Sequence, residues 1–307
     1  MTTRLLRLLT SVAALLLFAL PARAQVADVD IITPHITDAH EIEIPWPTWP
    51  GMHKVVELPR WEPFMLPGTS IMVDMSPTKH VVWMLIAALT VCLLLIFAAN
   101  AQGRQTRTAG HSKGFAGGIE AMVLYIRNEV IIPNVGHHGN GFVPFLLTLF
   151  FFILFCNLWG IFPWGSTATG NVSVTATLAL LTFFVVEGAG IRAQGIGYLN
   201  TIFYWNKDLN IVLRVLLFLI LSPIEFIGKL TKPFALTIRL FANMTAGHIV
   251  VLALIGMIFA FKSIASGAPF LMAVAINMLE LFVAFLQAFI FTLLSSVFIG
   301  QIREAHH

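Results

Sequence analysis

Charge is what this chain of 307 residues has least of: Asp, Glu, Lys and Arg together make up 11% of it. An ordinary soluble domain carries roughly 25%, so a soluble globular enzyme is excluded as the default reading. Cysteine is almost missing. Cys92 and Cys156 both sit inside apolar runs, which indicates neither a disulfide framework nor a metal site. Basic residues are few and unclustered, and a formal charge of +3 leaves no electrostatic footprint for nucleic acid. There is no Gly-rich phosphate loop, nucleophile elbow or HExxH stretch, so no cofactor and no catalytic centre is expected. No internal repeat is evident, and the inverted-repeat plan of many secondary transporters gains no support. Gly 22 and Pro 15 are ordinary counts, which excludes collagen-like and low-complexity chains. What is abundant is apolar: 58% of residues are hydrophobic and the mean hydropathy is +0.86. The chain reads as an all-α polytopic membrane protein.

Residues 1–24 have the form of a secretory signal. Arg4 and Arg7 precede an apolar core from Leu8 to Leu20, and Ala22-Arg23-Ala24 ends it on small residues. The alternative is an uncleaved first membrane helix, for which the core is short against ~30 Å of hydrocarbon. Residues 25–79 are expected to form an external segment of short strands and turns. They hold eight acidic residues against three basic ones. The prolines of Pro45-Trp46-Pro47-Thr48-Trp49-Pro50 exclude a helix interior. The two tryptophans suit a local packing cluster or interfacial anchors.

Apolar runs predict membrane helices at about 80–99, 143–162, 172–190, 211–260 and 268–301, each needing ~20 residues to cross. The fourth run is far longer and contains Pro223 and Pro233. It is either an interfacial piece followed by a span or one long, tilted helix. Arg104, Arg107, His111, Lys113 and Arg127 make the loop after the first span cytoplasmic, whereas 163–171 has no Lys or Arg and faces outward. Arg192 and Lys207 return inside, the turn near Lys262 to Pro269 lies outside, and Arg303 ends inside. Five crossings then leave the N-terminus outside, in agreement with a signal peptide. The division is 1–24 signal, 25–79 external, 80–303 membrane domain and 304–307 cytoplasmic tail. Ile119, Met122, Val123, Ile126 and Val130 recur at helical spacing and predict an amphipathic cytoplasmic helix over 115–132.

Polar residues inside the last two helices carry the functional signal: Arg239, Asn243, His248, Asn277, Glu280 and Gln287. A charge at a helix centre costs about 2.5–3.5 kcal/mol on the lenient insertion scale, and such residues usually face a pathway or a partner. Arginine cannot escape by losing its proton. If the two helices form an antiparallel hairpin turning near residue 264, Arg239 and Gln287 lie at one depth and His248 and Glu280 at another. Arg239 and His248 are then about 13 Å apart along the axis and on opposite faces, while Glu280 and Gln287 share a face. Asn243, at i+4, extends the arginine's face. The pattern reads as a hydrated cavity reaching His248 and Glu280 from outside, with a fixed cation at Arg239 deeper in. A His–carboxylate pair can pass protons near neutral pH. The competing structural reading is a buried hydrogen-bond network with Arg239 snorkelling inward. Glu225 suits the cytoplasmic side, Lys229 and Lys232 read as interfacial snorkellers, and Glu187 as interfacial. His137-His138 reads as a loop without further metal ligands.

The stretch Leu236-Thr237-Ile238-Arg239-Leu240-Phe241-Ala242-Asn243-Met244-Thr245-Ala246-Gly247-His248 closely resembles the signature of subunit a of F-type ATP synthases. Leu286-Gln287-Ala288-Phe289-Ile290-Phe291-Thr292-Leu293-Leu294 is similar to that family's last helix, and the likeness runs over about 75–303. It implies a non-catalytic stator subunit lying against the ring of c subunits, held with b-type peripheral stalk subunits in a bacterial inner membrane. By resemblance, Arg239 faces the ring carboxylate and Asn243 and Gln287 are polar neighbours on the route. His248 and Glu280 match the outer half-channel pair, and Glu225 an acidic position of the inner one. Many bacterial members have the His and the carboxylate exchanged; the order here is like the mitochondrial one. Ala242 stands where many have Gly, a small-for-small change. The rival readings are a self-contained channel or transporter and a purely structural anchor. Proton or sodium, ring size and direction of operation stay open.

Overall fold

The computed structural model describes residues 32–45, 53–65, 67–68, 70, 72–109, 114–136, 139–162, 165–198, 203, 210–261 and 266–304. The signal-like 1–24, the Trp46 and Trp49 stretch, His111, Lys113, His137-His138, Lys207 and the last three residues lie outside these. A short helix α1 (Ile32–Ile36) is followed by two antiparallel pairs, β1 (Glu41–Pro45) with β2 (His53–Glu57) and β3 (Phe64–Met65) with β4 (Met72–Val73). Among the described residues of 25–79, the short strands and turns agree with the expectation, and α1 is a helical turn it did not include. Asp74 accepts a hydrogen bond from the Ser76 amide at 2.8 Å. Bonding to Ser76 holds its carboxyl below the usual range.

The rest is helical: α2 (Lys79–Ala109), α3 (Gly114–Tyr125), a π-turn (Ile126–Ile131), α4 (Ile132–Val135), α5 (Val143–Ile161), α6 (Val172–Gln194), α7 (Ile211–Phe261) and α8 (Gly267–Glu304). Five of these segments are long and apolar enough to cross a membrane: 79–103, 139–161, 172–194, 211–258 and 267–303. These bounds follow the five apolar runs closely. Leu85, Leu89, Leu93, Ile96 and Phe97 of α2 are exposed at helical spacing, as a lipid-facing stripe requires.

Of the two readings of the long fourth run, the structure has the continuous helix. α7 keeps both Pro223 and Pro233 inside one run of 51 residues, or about 76 Å at 1.5 Å per residue. That is more than twice what one crossing needs, so it fits within the hydrocarbon only if steeply inclined. Proline is tolerated in such helices because neighbours satisfy the freed backbone groups.

The core forms where α8 packs on α5, α6 and α7. Leu146, Phe151, Ile153 and Leu154 of α5 meet Leu240 and Met244 of α7 and Ala288, Phe291 and Ile299 of α8, all buried. Ties between distant segments add direction. Thr169 donates to Asn157 at 2.7 Å, and Asn157 Nδ2 donates to the Ala284 carbonyl at 3.3 Å. Arg303 donates to the Val135 carbonyl at 3.0 Å. Gly300 is required for that approach, because a Cβ there would lie 1.9 Å from the Asn134 carbonyl oxygen. In the segment 115–132, Ile126 and Val130 are buried, yet Leu124 and Tyr125 are exposed. The expected apolar face is thus the one turned inward, with Met122 and Val123 packed against the core beside Ile126 and Val130, while Leu124 and Tyr125 add an exposed apolar edge. The π-turn precedes Pro133, and Asn134 Nδ2 donates to the Val130 carbonyl at 2.6 Å.

Candidate functional site: a polar track along the α7–α8 hairpin

Arg239 stands on the exposed surface of α7. Ala242, Asn243 and Ala246, at i+3, i+4 and i+7, share its face and are exposed with it. Around them Phe234, Ile238, Ile249 and Val250 are also exposed. The result is a guanidinium on an apolar face made shallow by small side chains, which lets another helix come close. Among the described residues, no hydrogen bond or ion pair engages Arg239.

The opposing helix contributes Glu280 and Gln287 from one buried stripe that includes Ala284, Ala288 and Phe291; the carboxylate residue is 4% exposed and the amide residue 2%. His248 Nδ1 lies 3.6 Å from Glu280 Oε1, within ion-pair range but beyond a hydrogen bond. Equal depth on the hairpin thus brings this pair together as the spacing implied. Gln287 differs. Its Oε1 accepts from Asn243 Nδ2 at 3.1 Å, one turn further along α7 than Arg239. Two long helices that cross at an angle do not keep equal-depth registry along their whole length. Gly247 leaves room beside the carboxylate, with a Cβ there 3.3 Å from Glu280 Oε1.

Towards the other end of α7, Glu225 is exposed. Lys229 corrects the sequence reading: it does not snorkel to a surface but is buried. Its Nζ donates to the Tyr198 hydroxyl at 2.5 Å and lies 3.5 Å from Glu187 Oε2, while the tyrosine O–H donates to that same carboxylate. Glu187 is likewise a member of this cluster and not a free interfacial charge. Burial, then the bond to Glu187, pushes the Tyr198 hydroxyl pKa up. Lys232 Nζ sits 4.8 Å over the Phe298 ring. A cavity of about 20 Å³ borders Glu187, Lys229, Pro233 and Phe298. Sequence reasoning missed Tyr198, whose only signal was an aromatic just after the Gly195 turn. It also missed His80, Asp38 and Asn171, taken up below.

The family model for the ATP synthase A chain matches residues 81–300. The chain belongs to that family. It is 46% identical over 269 residues to ATP synthase subunit a of Chloroherpeton thalassium, covering 87% of this chain and 74% of that relative. ATP synthase subunit a 2 of Chlorobium luteolum is 42% identical over 293 residues, 91% of this chain and 79% of the relative. ATP synthase subunit a 2 of Chlorobaculum tepidum is 48% identical over 241 residues, which are 76% of this chain and 64% of the relative. The matched region contains the whole polar track of the hairpin, from Glu225 to Gln287.

Proposed function

We propose that this chain is the proton-conducting stator subunit of the membrane sector of an ATP synthase, working against a rotating ring of c subunits. The observation that carries the reading is Arg239: a permanent cation on an apolar, membrane-depth face, without a partner among the described residues. Such a group calls for an anion brought by another subunit, and a ring carboxylate fits. His248 and Glu280 offer an outer relay in which the imidazole and the carboxylate exchange one proton. Protons reaching them neutralise a ring carboxylate, the ring turns, and each proton leaves on the far side near Glu225. Arg239 pairs with the returning carboxylate and repels a proton that would run straight through. Asn243 and Gln287, bonded to each other, hold the polar strip beside the arginine. Each proton crossing 100 mV supplies about 2.3 kcal/mol, so several are needed per ATP. The chain itself performs no bond chemistry; b-type stalk subunits hold it still in a bacterial inner membrane, N-terminus periplasmic and C-terminus cytoplasmic.

The test uses inverted membrane vesicles carrying Arg239→Ala, followed with a pH-sensitive dye. Loss of ATP-driven acidification, with passive proton flow retained or raised once the catalytic head is stripped, is the expected result. Acidification at the parent rate would return Arg239 to a structural anchor.

A further inference from the structure

The segment before the first membrane helix packs against the outer end of the polar track. α1 contacts α7, and Lys79 Nζ donates to the His35 carbonyl at 3.3 Å. Asp38 reaches further. Its Oδ1 lies 3.1 Å from His80 Nδ1, and its Oδ2 accepts from Asn171 Nδ2 at 3.1 Å. The His80 amide also donates to Asp38, at 3.2 Å. This knot joins three segments that are remote in sequence: the N-terminal segment, the start of α2 and the N-cap of α6.

Behind it lies a cavity whose walls include His35, His80, Ser166, Thr167, Thr245 and His248. Its volume of about 10 Å³ is near the threshold for holding one water molecule. The hydroxyls of Ser166, Thr167 and Thr245, His248 Nδ1 and Glu280 Oε1 are all buried without a hydrogen-bond partner among the described residues. Buried polar atoms are nearly always satisfied, by protein or by ordered water. Such atoms around one cavity bordered by both His80 and His248 are what a water-filled passage needs, and are costly in a dry, purely structural contact.

We propose that the N-terminal segment, through His35 and Asp38, completes with His80 a proton-collecting vestibule that feeds His248 and Glu280. The inference rests on the proton-route reading above and adds a function for residues 32–40. A proton from outside enters past the partly exposed Asp38 carboxylate and is taken up transiently by the buried His80 imidazole 3.1 Å away. The ring then releases that proton to water in the cavity and returns to neutral, and the water hands it to the His248–Glu280 pair.

The experiment uses the whole ATP synthase in proteoliposomes, with passive proton flow measured after head removal and subunit content checked in each preparation. His80→Ala is expected to cut flow several-fold, and imidazole in the outer medium to restore it by occupying the vacated site. A merely structural histidine would not respond to imidazole. Asp38→Asn, similar in shape but uncharged, lowers flow less. Gly170→Leu fills the cavity, since a Cβ at 170 stands in ordinary contact 3.8 Å from Thr245 Oγ1; flow is lost and imidazole does not restore it. If His80→Ala fails to assemble, Gly170→Cys decides: a membrane-impermeant thiol reagent added outside should block flow beyond its effect on the parent chain. Parent-level flow in His80→Ala and Gly170→Leu, with Glu280→Gln blocked, overturns the vestibule and leaves the route intact. Parent-level flow in Glu280→Gln as well overturns both.

Discussion

The two ends of α7 handle buried charge in opposite ways. At one end Lys229, Tyr198 and Glu187 form a closed chain in which ammonium donates to phenol and phenol to carboxylate. At the other, His248 and Glu280 stand 3.6 Å apart, and the Thr245 hydroxyl on the same helix has no partner among the described residues. A closed chain pairs its charges within the protein, even beside a small cavity. An open one keeps lone pairs and protons available. The first arrangement clamps α6 to α7, whereas the second suits transport, although both have the same ingredients: one base, one carboxylate and hydroxyl groups.

Breaking the arginine between the two ends has the largest expected effect, the loss of pumping in Arg239→Ala described above. Next comes the open end. Glu280→Gln keeps the shape but removes the charge, and passive proton flow through head-stripped vesicles should fall by one order of magnitude or more, on the scale of a lost acid–base group. At the closed end the readout is stability. Lys229→Leu leaves the half-buried Glu187 without its cation and bonded to Tyr198 alone, at a cost of about 1–3 kcal/mol, measured as a lower unfolding temperature in detergent. Adding Glu187→Leu should recover part of that loss. The smallest effect is expected for Tyr198→Phe, about 1 kcal/mol for the hydrogen bonds removed. It also has a pH signature. Because the folded state raises the phenol's pKa above its ordinary value near 10, its contribution is complete below pH 10. It disappears as pH climbs above that, and Tyr198→Phe should lack this alkaline loss.

What the sequence revealed depended on how local the determining physics was. The five spans were legible because ~20 apolar residues in a row have few other uses. The His248–Glu280 pairing was legible because a hairpin turns position into depth. Continuity of α7 through Pro223 and Pro233 was not, since whether proline breaks a helix is decided by neighbours that resatisfy its backbone. Lys229 was misread as a snorkeller because its partners come from α6 and the turn after it, 31 and 42 positions away. Asp38 and His80 are likewise 42 positions apart, and nothing in periodicity or composition joins them.

Because α7 is one continuous helix, it also sets an electrical proportion. Arg239 is ten residues from Lys229 and nine from His248, or about 15 Å and 13.5 Å along the axis. If the axis runs straight through Pro233, inclining it shortens both projections by one factor and leaves their ratio unchanged. If the field falls evenly between those levels, the arginine divides the voltage into nearly equal portions, about 1.1 kcal/mol each per 100 mV. Loading and unloading a ring carboxylate would then draw on the membrane potential almost symmetrically, so neither step would dominate the voltage dependence of rotation.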